Sequence, residues 1–177
     1  MTNVTVTGIG GVYPNEFADV SNMIKVTRIS FGGTAAIVTS MALMAGLEAA
    51  NAAKATEVSA LLIAAVADNL TDSLSVHLYQ ESEGLERREA FVGTLANFAT
   101  RLIVCLSFVL MVLQFERHTA AVGGVVWGLS LLSGLSYLLA RRRNVSAFSE
   151  VGKHVMVAVV IIFVSRSIGQ WITAYTF

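Results

Sequence analysis

The sequence predicts an all-α integral membrane protein, a bundle of five transmembrane helices. Of its 177 residues, 55% are hydrophobic and 14% are charged, whereas soluble domains carry about 25% charged residues. Five apolar stretches are each long enough to cross a hydrocarbon core of about 30 Å, which takes about 20 residues of helix. None of them alternates polar and apolar residues, as the strands of a transmembrane barrel do. The five predicted spans cover residues 29–50, 58–79, 91–115, 120–140 and 155–175.

Residues 1–28, ahead of the first span, are predicted to form a short cytoplasmic arm. We expect the arm to be loop-like, with an interfacial turn at residues 20–27. It lacks the basic start and the continuous apolar run of a signal peptide. The single proline, Pro14, lies outside every apolar stretch, so uninterrupted helices are permitted from residue 29 onwards. The chain therefore divides into this arm and a transmembrane domain, residues 29–177.

Span one is rich in small and aliphatic residues and carries Thr39, Met41 and Met44. A thioether in a pore wall would favour a softer metal such as Fe²⁺, so these three residues are candidates for a transport pathway. Methionine is also a common filler of apolar cores. Both interpretations stay open at this point.

Span two is unusual because Asp68 and Asp72 interrupt it. They lie four positions apart, hence on one face of a helix and one turn from each other. An ionised carboxylate near the bilayer centre costs about 3 kcal/mol or more, so such groups normally face a cavity, a partner or a pathway. A pair of this kind can bind a divalent metal, carry a proton, or exchange one for the other. The alternative is that the acids are neutral, or paired with Arg101 or Arg166, and only determine helix packing.

The face around the two acids is polar as well. Thr71 and Ser75 share it, with Asn69 on its flank, and oxygen ligands suit cations such as Mn²⁺, Fe²⁺ or Mg²⁺. Span two then continues into an acidic extension, which either concentrates cations at the membrane surface or is a solvated helix end. The candidate metal ligands are Asp68, Asp72, Glu81, Glu83 and Glu86.

The remaining spans carry fewer polar signals. Span four has small residues at four-residue spacing, Gly124 with Gly128 and Ser130 with Gly134, which would let another helix approach closely. That helix belongs either to the same chain or to a second copy, and we expect a homodimer in the lipid bilayer. Arg166 is the only cation deep in span five; it either pairs with an acid of span two or extends toward the far interface.

The direction of crossing follows from the basic residues. They precede span one and fill the loops after spans two and four, whereas the opposite side has only Lys54 and Arg117. Because cytoplasmic loops carry the excess of Lys and Arg, the N-terminus is predicted in the cytoplasm and the C-terminus on the far side.

Several function classes receive no support from the sequence. The net charge of zero gives no reason to expect a nucleic-acid partner. The single cysteine, Cys105, cannot form an internal disulfide or a metal site by itself. Because there is no nucleophilic triad, phosphate loop or CxxC motif, we do not expect an enzyme, and we expect no permanently bound cofactor.

Short motifs in three spans resemble the vacuolar iron transporter family of iron and manganese transporters. Residues 31–50 read FGGTAAIVTSMALMAGLEAA, similar to that family's glycine-rich first helix with its AGL-type ending. Residues 72–76 read DSLSV and continue as HLYQESE, which resembles the family's G-E-Y-L-S-V segment and its acidic extension. Residues 165–172, SRSIGQWI, are similar to the end of its fifth helix. The number of spans and the predicted orientation also agree.

The resemblance implies a homodimer that exports Fe²⁺ or Mn²⁺ from the cytoplasm in exchange for protons, with the metal, its substrate, passing along spans one and two. Three departures matter. Ala35 and Ala36 stand at the family's Asp-Gly pair, and Ala67 and Asp68 stand at its Ser-Met pair, while Asp72 takes the position of the motif glutamate. The long metal-binding helices between spans two and three are also absent. Asp68 compensates for the acid lost from span one, or the metal differs, or transport has been lost.

Two other functions remain open. A non-transporting membrane subunit or assembly protein would use the acids as contacts between helices, and a transporter or channel of this fold could carry another small solute. A prokaryotic plasma membrane is the expected location, since the chain is short and shows no sorting extension.

Overall fold

The computed structural model describes residues 14–82 and 87–176, which form five α-helices. The helices are α1 (Pro14–Ala49), α2 (Lys54–Ser82), α3 (Arg87–Gln114), α4 (Arg117–Arg142) and α5 (Ala147–Thr176). Each is long and apolar enough to cross a membrane, and each predicted span falls on a different helix. For the described residues, the prediction of an all-helical fold with five helices able to span a membrane is thus confirmed, while the side of the membrane that each end faces stays a prediction.

Helix α1 begins at Pro14, well before the predicted span. Proline suits the first turn of a helix, where no N–H is needed for an intrahelical hydrogen bond. The loop-like conformation predicted for the arm is therefore wrong for residues 14–28, because the helix continues past the apolar stretch that hydropathy detects. Residues 1–13 lie outside the described residues, and the division of the chain at residue 28 stays a prediction.

Asparagine residues end two of the helices. Asn51, just after α1, and Asn144, just after α4, have φ of 55° and 52°, the left-handed conformation that asparagine tolerates better than most residues. At both ends, the N–H of the following residue donates to the carbonyl five positions earlier, at 3.0 and 3.1 Å. These bonds satisfy open helix carbonyls and turn the chain back into the bundle.

Helix α1 lies at the centre of the bundle. It contacts all four other helices, whereas α2 packs chiefly against α3. In the membrane-spanning part of α1, 44% of the residues are buried, against 22% in α2 and 11% in α5. Helices α2 and α5 therefore present most of their surface to the outside of the single chain.

The core lies where α1 meets α3 and α4. Met41 and Met44 of α1 are almost completely buried, as is Phe108 of α3. Met44 is so close to Gly124 that a Cβ atom there would lie 2.7 Å from Met44 Cε, and a Cβ at Gly128 would overlap Met41. Only glycine lets α4 approach α1 this closely. For this pair of small residues, packing within one chain is confirmed.

The second small pair of α4 lies on a different face. Ser130 and Gly134 are exposed, and a Cβ added at Gly134 would meet nothing within 4 Å. The described residues do not cover this face of α4.

Candidate functional site

One face of α2 is a row of residues four positions apart. Leu61, Ala65, Asn69 and Ser73 of this row are buried, and Asn69 Nδ2 donates to the Phe98 carbonyl oxygen of α3 at 2.9 Å. The sequence places Asn69 beside the two aspartates in a candidate pathway. The structure turns it toward α3 instead, so Asn69 belongs to the contact between these two helices.

Asp72 forms an ion pair with Arg101 of α3, through Asp72 Oδ2 and Arg101 Nη1. The Arg101 side chain is only 5% exposed, whereas 40% of the Asp72 side chain is exposed. Asp72 therefore has one side toward a buried guanidinium and another toward the surface of the chain. Of the pairings considered for the two acids, the one between Asp72 and Arg101 is present.

Three helices meet at this ion pair. Asn97, one turn before Arg101 on α3, is 1% exposed, and Gly32 of α1 is seated against both. A Cβ at Gly32 would overlap Asn97 Oδ1 and lie 3.2 Å from Arg101 Cδ. Glycine is thus required for α1 to reach the pair. We call the group formed by Gly32, Asn69, Asp72, Asn97 and Arg101 the polar junction.

Asp68 lies one turn from Asp72 and is exposed. It makes no hydrogen bond or ion pair with the described residues. The two acids of span two therefore differ: Asp72 is paired with Arg101, whereas Asp68 is exposed and has no such partner among the described residues.

Thr71 and Ser75 extend the exposed polar surface around Asp68. Their hydroxyls donate to carbonyl oxygens one turn earlier on α2, Thr71 Oγ1 to Ala67 O and Ser75 Oγ to Thr71 O, both at 2.9 Å. Such bonds satisfy the hydroxyl hydrogen and leave the oxygen lone pairs outward. With Asp68 they form an acceptor-rich strip, which suits a cation or a proton carrier.

The candidate residues of span one lie away from this strip. Thr39 lines a groove of about 460 Å³ between α1 and α5. Met41 and Met44 pack against α3 and α4 in the apolar core, which agrees with their interpretation as core filler. The structure does not bring these three side chains to Asp68 or Asp72, and their part in a pathway stays a prediction.

The acidic extension of span two is described only in part. Glu81 is exposed, and its Oε1 lies 3.6 Å from Nε2 of His77 on the same helix. Glu83 and Glu86 lie outside the described residues. Among the residues that the structure describes, no three His, Cys, Asp or Glu side chains come together as a metal site.

Glu48, near the end of α1, is a charged centre that the sequence analysis missed. Its Oε2 lies 3.0 Å from Arg166 Nη1 of α5, and its Oε1 lies 3.2 Å from His118 Nδ1 of α4. Of the two alternatives for Arg166, pairing with an acid of span two is therefore wrong, because its partner is Glu48 of span one. The signal in the sequence for this ion pair is an acid in the last turn of apolar span one, together with the only cation deep in span five.

The cations at this end of the bundle cap helices. Lys54 Nζ donates to the carbonyl oxygens of Leu113 and Phe115, at 2.9 and 3.2 Å, at the C-terminal end of α3. Arg117 Nη1 donates to the Ala52 carbonyl oxygen at 2.8 Å, beyond the end of α1. Cations at helix C-termini stabilise the partial negative charge there, so this end is held together by polar contacts between neighbouring helices.

Comparisons with protein-family models, with curated proteins and with solved structures found no match for this chain. Membership of the vacuolar iron transporter family stays a prediction from the sequence motifs alone.

Proposed function

We propose that this protein is a membrane transporter that exchanges a divalent cation, Fe²⁺ or Mn²⁺, for protons. The proposal rests on the position of Asp68. By the helical rise of about 1.5 Å per residue it lies about 21 Å from the Lys54 end and about 17 Å from the Tyr79 end of its span. A carboxylate this deep normally faces a cavity, a partner or a pathway rather than lipid, and its own chain leaves it exposed.

The surface around Asp68 supports a pathway between two copies of the chain. Because α2 is mostly unburied by its own chain, a second copy packed along it would enclose the strip of Asp68, Thr71 and Ser75. Carboxylate and hydroxyl oxygens are ligands of Mn²⁺ and Fe²⁺ as well as proton acceptors. The proposed protein is a homodimer in a prokaryotic plasma membrane, exporting the metal from the cytoplasm, as the sequence resemblance implies.

Asp68 and Asp72 have different roles in the proposed exchange. Asp68 pairs with no cation among the described residues, so it can take a metal ion or a proton. Asp72 is held by Arg101 on one side and open to the strip on the other. A metal ion bound between the two acids would compete with Arg101 for Asp72, and its departure would restore the ion pair.

Proteoliposomes with an imposed pH gradient test the proposal. We expect Fe²⁺ and Mn²⁺ uptake by the natural protein, loss of uptake in Asp68→Asn, and unchanged uptake in Glu150→Gln. The control removes a carboxylate that pairs with Lys153 in the first turn of α5, away from the strip. Absence of metal uptake in the intact natural protein would contradict the proposal.

A non-transporting membrane subunit is the second candidate, and the Asp72–Arg101 pair favours it. An ion pair that joins α2 to α3 is a contact between helices, as that function requires. Under it, Asp68→Asn would weaken association with a partner protein in co-purification from membranes, and no version of the chain would move metal.

A further inference from the structure

Buried polar atoms without a hydrogen-bond partner lie on α2 and α3, which pack against each other, and those of Asn97 and Arg101 also lie next to α1. On α2 they are Asn69 Oδ1, Ser73 Oγ and His77 Nδ1, and on α3 they are both polar atoms of the Asn97 side chain and Arg101 Nε; none has a hydrogen-bond partner among the described residues. A buried polar atom without a hydrogen bond costs about 1–3 kcal/mol. So many in one place indicate that something other than protein satisfies them.

The spacing of these atoms suits water. Asn69, Ser73 and His77 follow one another at four-residue intervals, as do Asn97 and Arg101 on α3. Four residues of helix rise about 6 Å, which is close to the span of one water molecule with a hydrogen bond of about 2.8 Å on each side. A buried water needs two to four polar partners, and two facing polar rows supply them.

We propose that the contact between α2 and α3 holds a file of water molecules leading from His77 to the Asp72–Arg101 pair. We call this contact the α2–α3 seam, defined by the polar residues Asn69, Ser73, His77, Asn97 and Arg101. The role of this file rests on the proposed function. The file brings protons to Asp72 from inside one chain, while the metal reaches Asp72 from the exposed strip.

His77 is suited to be the entrance. Its Nε2 lies 3.6 Å from Oε1 of exposed Glu81, at the end of α2 predicted to face the cytoplasm. Its other ring nitrogen, Nδ1, is buried and has no hydrogen-bond partner among the described residues. Along the file each water accepts one proton and donates another, so one proton reaches Asp72 for each one that enters.

The same row of α2 also closes the file. Beyond Asn69 come Ala65 and Leu61, both 1% exposed and apolar, which have no group to hold water. They separate the file from the next buried polar atom of the row, Glu57 Oε1. The seam is therefore an access path from one side of the membrane only, which an exchanger needs so that protons do not leak across.

Water-edited solid-state NMR of the full chain in lipid bilayers tests the seam directly. Magnetisation transferred from water should reach the Ser73 and Asn97 side chains as fast as it reaches Asn144 in an exposed loop. Ala65, on the same row of α2, should receive it several-fold more slowly. Transfer to Ser73 and Asn97 as slow as that to Ala65 would overturn the proposal.

A matched pair of variants tests the proton path in proteoliposomes. Ser73→Leu fills the seam and should slow pH-driven metal uptake several-fold. Ser167→Leu makes the same change on exposed α5, where the hydroxyl donates to Phe163 O, and should leave uptake unchanged. Equal uptake by the Ser73 variant and the natural protein would overturn the path.

The two proposals fail separately. A natural protein that moves no metal would contradict the proposed function, while the NMR result would still decide whether water fills the seam. Metal uptake together with a dry seam would support the proposed transport function and exclude the water file.

Discussion

Arg101 lies almost fully buried in the middle of α3, with Asp72 as its charged partner. Taking a guanidinium out of water costs several kcal/mol unless a carboxylate and further hydrogen bonds compensate. The planar guanidinium also offers five donors in a fixed geometry, which lysine does not. Arg101 can therefore hold Asp72 and still present Nε to the α2–α3 seam.

Removing the partner of Arg101 should cost more than removing both. Asp72→Asn leaves a buried cation without its carboxylate, and we expect a loss of about 2 kcal/mol, below the about 3–5 kcal/mol of fully buried pairs because Asp72 is partly exposed. The double variant Asp72→Asn, Arg101→Met should recover most of that loss. Reversible unfolding in mixed micelles measures both, and additive losses would contradict the pairing.

The sequence showed the charged residues of the junction but not their pairing. Arg101 and Arg166 were equal candidates for the acids of span two, because the choice depends on which helices are neighbours. Hydropathy carries no information on that, since all five spans are apolar over most of their surface. Asn97 and Gly32 could not be identified from the sequence either, because their contact forms only where α1 and α3 meet.

At the scale of the helices, the predictions rested on apolar length and were accurate for the apolar stretches. They failed where a helix continues beyond its apolar stretch. Residues 14–28 are helical although they are polar, because Pro14 starts a helix that the membrane-spanning part of α1 continues. Burial also differs between α1 and α5, although both are strongly apolar, because burial depends on position in the bundle rather than on hydropathy.

Two glycines of α4 test how closely this helix packs against α1. Gly134→Ala adds a methyl group in open space and improves helix propensity, so it should stabilise the fold by about 0.5–1 kcal/mol. Gly128→Ala makes the same change against buried Met41 and should destabilise by about 1–3 kcal/mol. Thermal unfolding of the two variants in the same detergent compares them, and equal midpoints would contradict the close approach of α4 to α1.

At the scale of the molecule, α1 occupies the centre and α2 lies outside it, packed on α3. The pathway predicted along spans one and two joined residues that this arrangement separates: Met41 and Met44 lie in the core, whereas Asp68 lies on the outer surface. The order in which helices pack could not be inferred from five similar apolar stretches. Because Asp68 faces outward, the proposed pathway needs a second copy of the chain to enclose it.

A metal gradient without a pH gradient shows whether metal movement through this protein is coupled to proton movement. Mn²⁺ is added outside proteoliposomes that contain a pH-sensitive dye, so that the internal pH reports proton movement. The natural protein should drive protons outward as Mn²⁺ enters, and internal pH should rise. Asp68→Asn should abolish the rise, and Glu150→Gln should keep it. An internal pH that stays constant with the folded natural protein would contradict the account.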